Sequence, residues 1–306
     1  MMDGILAVWK PAGWTSHDVV AKVRRLVKVK RIGHTGTLDP EVTGVLPLCI
    51  GRATRVVEYV QERPKSYEAE MKFGIATDTE DMSGTVLTEL PSVTITEDDI
   101  RRVLATFIGD IEQVPPMYSA VKVDGKRLYE LAREGQVVER KSRVVTIHKL
   151  ELLEMKLDQP HPTIRFSVEC SKGTYIRTLC VDIGQALHVP AVMVKLTRTM
   201  SGGFKEADCY TLEDIAQLMA SGELASKLTP ADQAIDHFPR AAVSSDNVQR
   251  AFQGKRISLS SLLEHDPFDS DAIIRLYGED GTFVGLFEQD QETASLKGVK
   301  VFTPTA

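Results

Sequence analysis

Hydrophobic positions along the chain switch between two periods. Val19, Val20, Val23, Leu26 and Val27 recur at helical spacing behind Ser16, a natural N-cap, so the spacing predicts an amphipathic helix from Ser16 to about Val29 with a basic polar face. From Tyr67 the period becomes two, with Tyr67, Ala69, Met71 and Phe73 on one face and Glu68, Glu70 and Lys72 on the other. That predicts a half-buried strand carrying a tyrosine. Thr96 followed by Glu97, Asp98 and Asp99, then Ile100, Val103, Leu104 and Phe107, spells a capped structural helix stopped by Gly109.

Between Val114 and Val145 the long periodicity fades. A Pro115-Pro116 stop, a short strand from Ser119 to Val123, an Asp124-Gly125 turn and a short helix around Arg127 to Glu134 are expected there, as an excursion from the main body. Strict alternation returns at Ile164, Phe166, Val168 and Cys170, and Ser171-Lys172-Gly173 breaks it before a helix from about Thr178 to Leu187. Tyr175 and Arg177 then fall at a strand-to-helix junction. Thr211 and Asp214 open a further helix that Gly222 should stop. Beyond Leu228-Thr229-Pro230 the chain is acidic and strand-rich, with a hairpin through Gly278-Glu279-Asp280-Gly281. A length of 306 residues, at roughly 150 per domain, predicts about two domains, divided here into 1–237 and a small unit over 238–306.

The charge is unevenly placed, which changes what its sum implies. The net charge is −6, yet from Thr211 onward there are 8 Lys and Arg against 15 Asp and Glu, and the first 210 residues are nearly balanced. Val19 to Leu38 holds Lys22, Arg24, Arg25, Lys28, Lys30 and Arg31 without an acid, and Lys122 to Lys149 holds eight basic residues against four acidic ones. Taken alone each run reads as a solvated helix or loop face, and two of them flanking a Gly-rich segment weaken that reading. Cys49, Cys170, Cys180 and Cys209 form no C-x-x-C pair, so neither a disulfide framework nor a zinc site is expected. With no long apolar run and no signal-like N-terminus, a cytoplasmic protein without membrane attachment is expected.

Candidate chemistry concentrates between Gly33 and Arg55, where Asp39 stands before Pro40 on a turn. Neither phosphate-loop pattern occurs, nor H-E-x-x-H, G-x-S-x-G or a kinase signature, so hydrolytic and ATP-driven classes find little support. Taken alone, Asp39 would be a turn former, Tyr67 and Leu196 core residues, Arg177 a helix-end arginine and His34 a loop hydrogen-bonder.

The stretch closely resembles the signature of the bacterial tRNA pseudouridine synthase B family. Lys10-Pro11-Ala12-Gly13-Trp14-Thr15-Ser16 is similar to that family's opening block, and Tyr67-Glu68-Ala69 through Phe73-Gly74 to Thr77-Asp78-Thr79 to its second. Val114 to Ala120 with Lys122, Gly125 and Tyr129 resembles its insertion, Ser171 to Arg177 its third core block, and Leu196-Thr197-Arg198-Thr199 with Gly202 and Phe204 its last. The resemblance spans roughly residues 7–205 in the family's order.

This resemblance implies an α+β fold built on a long mixed, mainly antiparallel sheet, with an RNA-binding arm over about 114–145 and a small PUA-like β-rich domain at the C-terminal end. It implies isomerisation of uridine 55 in the TΨC arm of tRNA, without metal, cofactor, guide RNA or obligate protein partner. Asp39 would be the nucleophile, Arg177 its cationic partner, and Tyr67 the residue that stacks on the flipped base and takes the carbon-5 proton. His34, Tyr175, Leu196 and Lys10 would contact substrate, with Lys10 equally suited to supporting the catalytic turn. The alternative is a tRNA-binding and refolding factor in which isomerisation is secondary; Asp39 separates the two, because a pure binder has no need of it.

Overall fold

In the computed structural model, which describes residues 2–123 and 125–303, the alternating segments assemble into one long sheet. Its nine strands are β1 (Gly4–Lys10), β2 (Ile32–His34), β3 (Thr43–Ile50), β4 (Lys65–Phe73), β5 (Gly109–Gln113), β6 (Arg143–Lys156), β7 (Thr163–Cys170), β8 (Ala191–Ser201) and β9 (Phe204–Lys205). The main path runs β1-β3-β8-β4-β7-β6-β5, with β2 on β3 and β9 on β8. All pairings are antiparallel except β3 with β8, which run parallel where Thr43 and Gly44 meet Thr197 and Arg198. Gly44 is required at that crossing. Its φ is +118°, and a Cβ there would lie 2.2 Å from the Arg198 carbonyl oxygen.

Helices cover the sheet. The helix α1 (Ser16–Val27) sets Val19, Val20, Val23 and Val27 against Leu6, Val8, Leu46 and Leu48, together with Leu212 and Ile215 of the helix Leu212–Ser221. The helices Glu97–Thr106 and α2 (Ile176–Ala186) pack Ile100, Leu104, Leu179 and Ile183 on Met71, Phe73, Ile164 and Phe166. Each fully buried side chain of this kind contributes roughly 1.5–3 kcal/mol of transfer free energy. These two cores hold the middle of the sheet rigid, where β4 and β8 run side by side.

Several boundaries differ from the sequence expectation. The N-cap of α1 is Thr15, whose side chain exchanges hydrogen bonds with Asp18, whereas Ser16 is wholly buried and bonded to Leu38. Either hydroxyl can cap; Ser16 is drawn to the loop beneath the helix. Residues 176 and 177 join α2 because Gln113 satisfies the Tyr175 backbone at the helix start (Tyr175 N–H to Oε1 3.0 Å, Nε2 to Tyr175 C=O 3.1 Å). In the arm, the expected strand from Ser119 shrinks to a hairpin of Lys122–Val123 with Lys126–Arg127, and its helix is Leu128–Arg133. Asp124, half of the expected turn, lies outside the described residues.

The C-terminal part is β-rich and PUA-like. Strands β10 (Arg240–Val243), β11 (Ile257–Ser258), β12 (Leu262–His265), β13 (Ile273–Gly278), β14 (Phe283–Asp290) and β15 (Ser295–Val301) form a six-stranded sheet in the order β11-β15-β14-β13-β10-β12. The expected turn at Gly278–Gly281 joins β13 to β14. Phe302 packs with Ala53, Val56 and Phe283, which ties this sheet to the first. Among the described residues no helix is long and apolar enough to cross a membrane, and no group of His, Cys, Asp and Glu is placed to hold a metal ion.

Candidate active site

Asp39 sits on the loop between β2 and β3, within reach of Arg177 and near Tyr67 of β4. Both neighbours in sequence are clamped by buried side chains. The Ser16 hydroxyl accepts from the Leu38 N–H at 2.8 Å and lies 3.3 Å from the Leu38 carbonyl, while the Lys10 ammonium donates to the Pro40 carbonyl at 2.8 Å and to that of Pro11 at 2.9 Å. Burial pushes the Lys10 ammonium down to about 8. Lys10 is fully enclosed, and its bonds go to the loop backbone rather than outward.

Arg177, in the first turn of α2, is 7% exposed and places Nη2 3.1 Å from Asp39 Oδ2. The same guanidinium donates to the carbonyls of Thr79 (2.8 Å) and Tyr118 (2.7 Å), with Asp81 Oδ2 at 3.8 Å. One buried cation therefore joins the Asp39 loop, the turn after β4 and the root of the arm. Its planar fork suits this task better than an ammonium point charge would. The Asp39 carboxylate itself is 47% exposed, so it is not the buried group that would need rescue from desolvation; what Arg177 supplies is orientation and charge.

The neighbours form an apolar wall. Tyr67 and Leu196 are buried in one cluster with Leu38, Val42 and Ile176. Burial pushes the Tyr67 phenol up. Tyr175 is half-buried, held by the two Gln113 bonds at the start of α2. His34, at the end of β2, accepts at Nδ1 from the Gly36 N–H (3.3 Å) and meets the His17 ring edge-on at 5.5 Å. Burial pushes its imidazole down to about 4, so it is neutral at physiological pH and free to accept at Nδ1.

Sequence reading missed five contributors. Thr79 and Tyr118 act through backbone carbonyls, which carry no residue-type signal. Ser16 and Arg198 lie within recognised motifs yet show their contacts only in three dimensions. Glu80, a non-glycine residue at φ +65°, accepts from the Thr178 hydroxyl at 2.7 Å immediately behind Arg177, and burial pushes its carboxyl up. The arrangement offers a carboxylate poised beside a guanidinium, an aromatic and aliphatic wall, and a basic arm rooted at the same arginine.

A long mixed sheet crossed at its middle by an aspartate on a turn, faced by a strand tyrosine and a helix-start arginine, defines a pseudouridine synthase. The structure superposes on the solved Cbf5-Nop10-Gar1 complex with a TM-score of 0.78 at 29% identity, covering 99% of this chain and 86% of that one. An H/ACA ribonucleoprotein bound to a substrate RNA containing 2'-deoxyuridine gives 0.76 at 26% identity, with 98% and 85% covered. Residues 24–176 match the TruB family pseudouridylate synthase N-terminal domain, and residues 177–236 the tRNA pseudouridylate synthase B C-terminal domain. The tRNA pseudouridine synthase B of Bacillus licheniformis is 45% identical over 304 residues, and that of Bacillus subtilis 43%, each covering 98% of both chains. The chain belongs to the TruB family, and it is a pseudouridine synthase, an isomerase.

Proposed function

We propose that this chain isomerises uridine 55 in the TΨC arm of tRNA, with Asp39 as the nucleophile, and does so without guide RNA or protein partner. The observation that carries the reading is the Asp39 carboxylate held 3.1 Å from the Arg177 guanidinium beside Tyr67 and Leu196. The full-length likeness to relatives named tRNA pseudouridine synthase B supports tRNA as the substrate.

The chemistry balances internally. The C1′–N1 bond of the uridine breaks, a C1′–C5 bond forms, the proton leaves carbon 5, and N1 ends protonated. Nothing is oxidised, reduced or hydrolysed. The Asp39 carboxylate adds to one fragment, at the base or at C1′, and holds it while the uracil turns. Arg177 holds that carboxylate aimed and sets a positive charge beside it. Tyr67 stacks on the extruded base and takes the carbon-5 proton, while Leu196 and Tyr175 close the pocket around the ring. His34 fills the space the nucleotide vacates. Lys10 braces the catalytic turn from below, the second of its two expected roles, with its ammonium donating to the carbonyls of Pro11 and Pro40.

The basic arm over about 114–145 contacts tRNA phosphates, and the chain divides into a catalytic unit over 1–237 and a PUA-like unit over 238–306. Asp39→Asn tests the reading through tritium release from carbon-5-labelled uridine and filter binding to the same tRNA. The expected result is loss of about four orders of magnitude in single-turnover rate, with tRNA affinity changed by less than about threefold. Turnover near the wild-type rate would refute the nucleophile, and a tRNA-refolding role alone would leave no reason for the loss.

A further inference from the structure

Arg198 is among the largest fully buried side chains of the molecule, 1% exposed, and no step of the isomerisation above uses it. Its guanidinium donates Nε to the Val45 carbonyl at 2.7 Å and Nη2 to the Gly36 carbonyl at 3.1 Å. Those two carbonyls lie on either side of Asp39, so one edge of the fork spans both ends of the catalytic loop. In the sheet, Arg198 on β8 is the register partner of Tyr67 on β4, which places both side chains on the same face. Its charge is offset by Tyr67 and Cys209 rather than by a carboxylate. A guanidinium buried without an acid is costly unless its donors find acceptors, and Nε and Nη2 find theirs on the loop.

We propose that Arg198 is a positioning residue for the isomerisation: it fixes the Asp39 loop from below and faces the Tyr67 hydroxyl, setting carboxylate and phenol at one separation across the base. This rests on the reading that Asp39 and Tyr67 act on the uridine. The groups facing the phenol are Arg198 from β8, Cys170 from β7 and Asp39 from the loop. Cys170 is a neutral thiol, pushed up to about 11 by burial. Arg198 is then the group that counters the upward push of burial on the phenol, against Asp39, which adds to it. The arginine therefore favours the phenolate, the form of Tyr67 able to accept a proton, as well as holding the loop.

Two substitutions separate the functions. Arg198→Lys keeps the charge and loses the fork; Arg198→Gln keeps one donor nitrogen and loses the charge. With Arg198→Lys the single-turnover rate should fall about 10- to 100-fold while tRNA affinity stays within about twofold, because misplacement of reacting groups acts on rate and phosphate contacts set affinity. For Arg198→Gln, 19F spectra of protein carrying 3-fluorotyrosine give a readout independent of turnover, with the Tyr67 resonance assigned by its loss in Tyr67→Phe. That resonance should titrate at higher pH in Arg198→Gln than in wild type, and at the wild-type position in Arg198→Lys. A wild-type rate in Arg198→Lys overturns the positioning role, and an unmoved titration in Arg198→Gln overturns the action on Tyr67. If Arg198→Gln does not fold, the rate and affinity of Arg198→Lys decide. Failure of the underlying reading looks different: Tyr67→Phe or Asp39→Asn would then retain full turnover.

Discussion

The Asp39 loop and the basic arm hold charge in opposite ways. Around Asp39, Ser16, Lys10 and Arg198 are buried and bonded to the backbone of Leu38, Pro40, Gly36 and Val45, so each polar atom has one position. In the arm, Lys122, Lys126, Arg133 and Lys141 are exposed, and the Lys126–Glu134 pair is roughly half-exposed on both sides. Only Leu128 and Leu131 of its helix are buried. Buried bonds fix geometry to fractions of an ångström, which bond making requires. Exposed charges are screened within about 8 Å at physiological salt and need only be numerous and on the right face, which is enough for phosphate binding.

Substitution at Arg177 should break the first region most sharply. Arg177→Met strands the Asp39 carboxylate and the carbonyls of Thr79 and Tyr118, and the single-turnover rate should fall by about 10³-fold, as for removal of a preorganised charge. Arg177→Lys should recover part of this and remain about 10²-fold impaired, because an ammonium cannot serve all three partners. Urea unfolding of both variants separates lost placement from lost fold. A rate in Arg177→Lys equal to wild type would show that charge alone suffices.

Tyr67 sharpens the boundary between chemistry and binding. Tyr67→Phe keeps the stacking face and removes the hydroxyl, so rate should fall while affinity holds. Tyr67→Leu should lose affinity as well, since a base–aromatic stack is worth about 1–3 kcal/mol. Equal affinities in the two variants, measured by filter binding, would remove Tyr67 from contact with the base.

The arm should give the reverse pattern. Neutralising Lys122 and Lys126 together should flatten the salt dependence of tRNA binding by a slope of up to about 0.9 per lost contact and leave the saturated rate intact. The pairs Arg127 with Arg140 and Lys141 with Arg143 extend the same titration. An unchanged slope would make the arm an ordinary solvated surface.

Legibility followed the same division. Local signals held where one period or one cap decides the element, as in the alternation of β4 or the Thr211–Asp214 box closed by Gly222. They failed at Ser16, where two adjacent hydroxyls could cap and a loop 22 residues away chose between them. The strand β6 was not anticipated, because register shifts at Ile147/Lys149 and Leu152/Glu154 break its alternation and much of it is exposed. Asp39, Tyr67 and Arg177 were legible through motif resemblance. The partners of Arg177 were not, since Thr79 and Tyr118 lie 98 and 59 residues away and contribute only carbonyl oxygens.

The smallest expected effect concerns His34. Its folded imidazole titrates near 4, below the unfolded value of about 6.5, so the unfolded chain binds the extra proton between those limits. Stability therefore falls as pH drops from about 6.5 to about 4, by on the order of 1–2 kcal/mol for this group after allowance for its partial exposure. His34→Gln should remove that share. Parallel stability curves for wild type and variant across this window, followed by urea unfolding, would show that His34 is not held neutral by the loop.

The most direct test maps pseudouridine in unmodified tRNA transcripts after incubation with the pure chain alone. The account predicts one new pseudouridine, at position 55, and none in a transcript carrying cytidine there. Pseudouridine at another position, or none without an added RNA or protein, would contradict it.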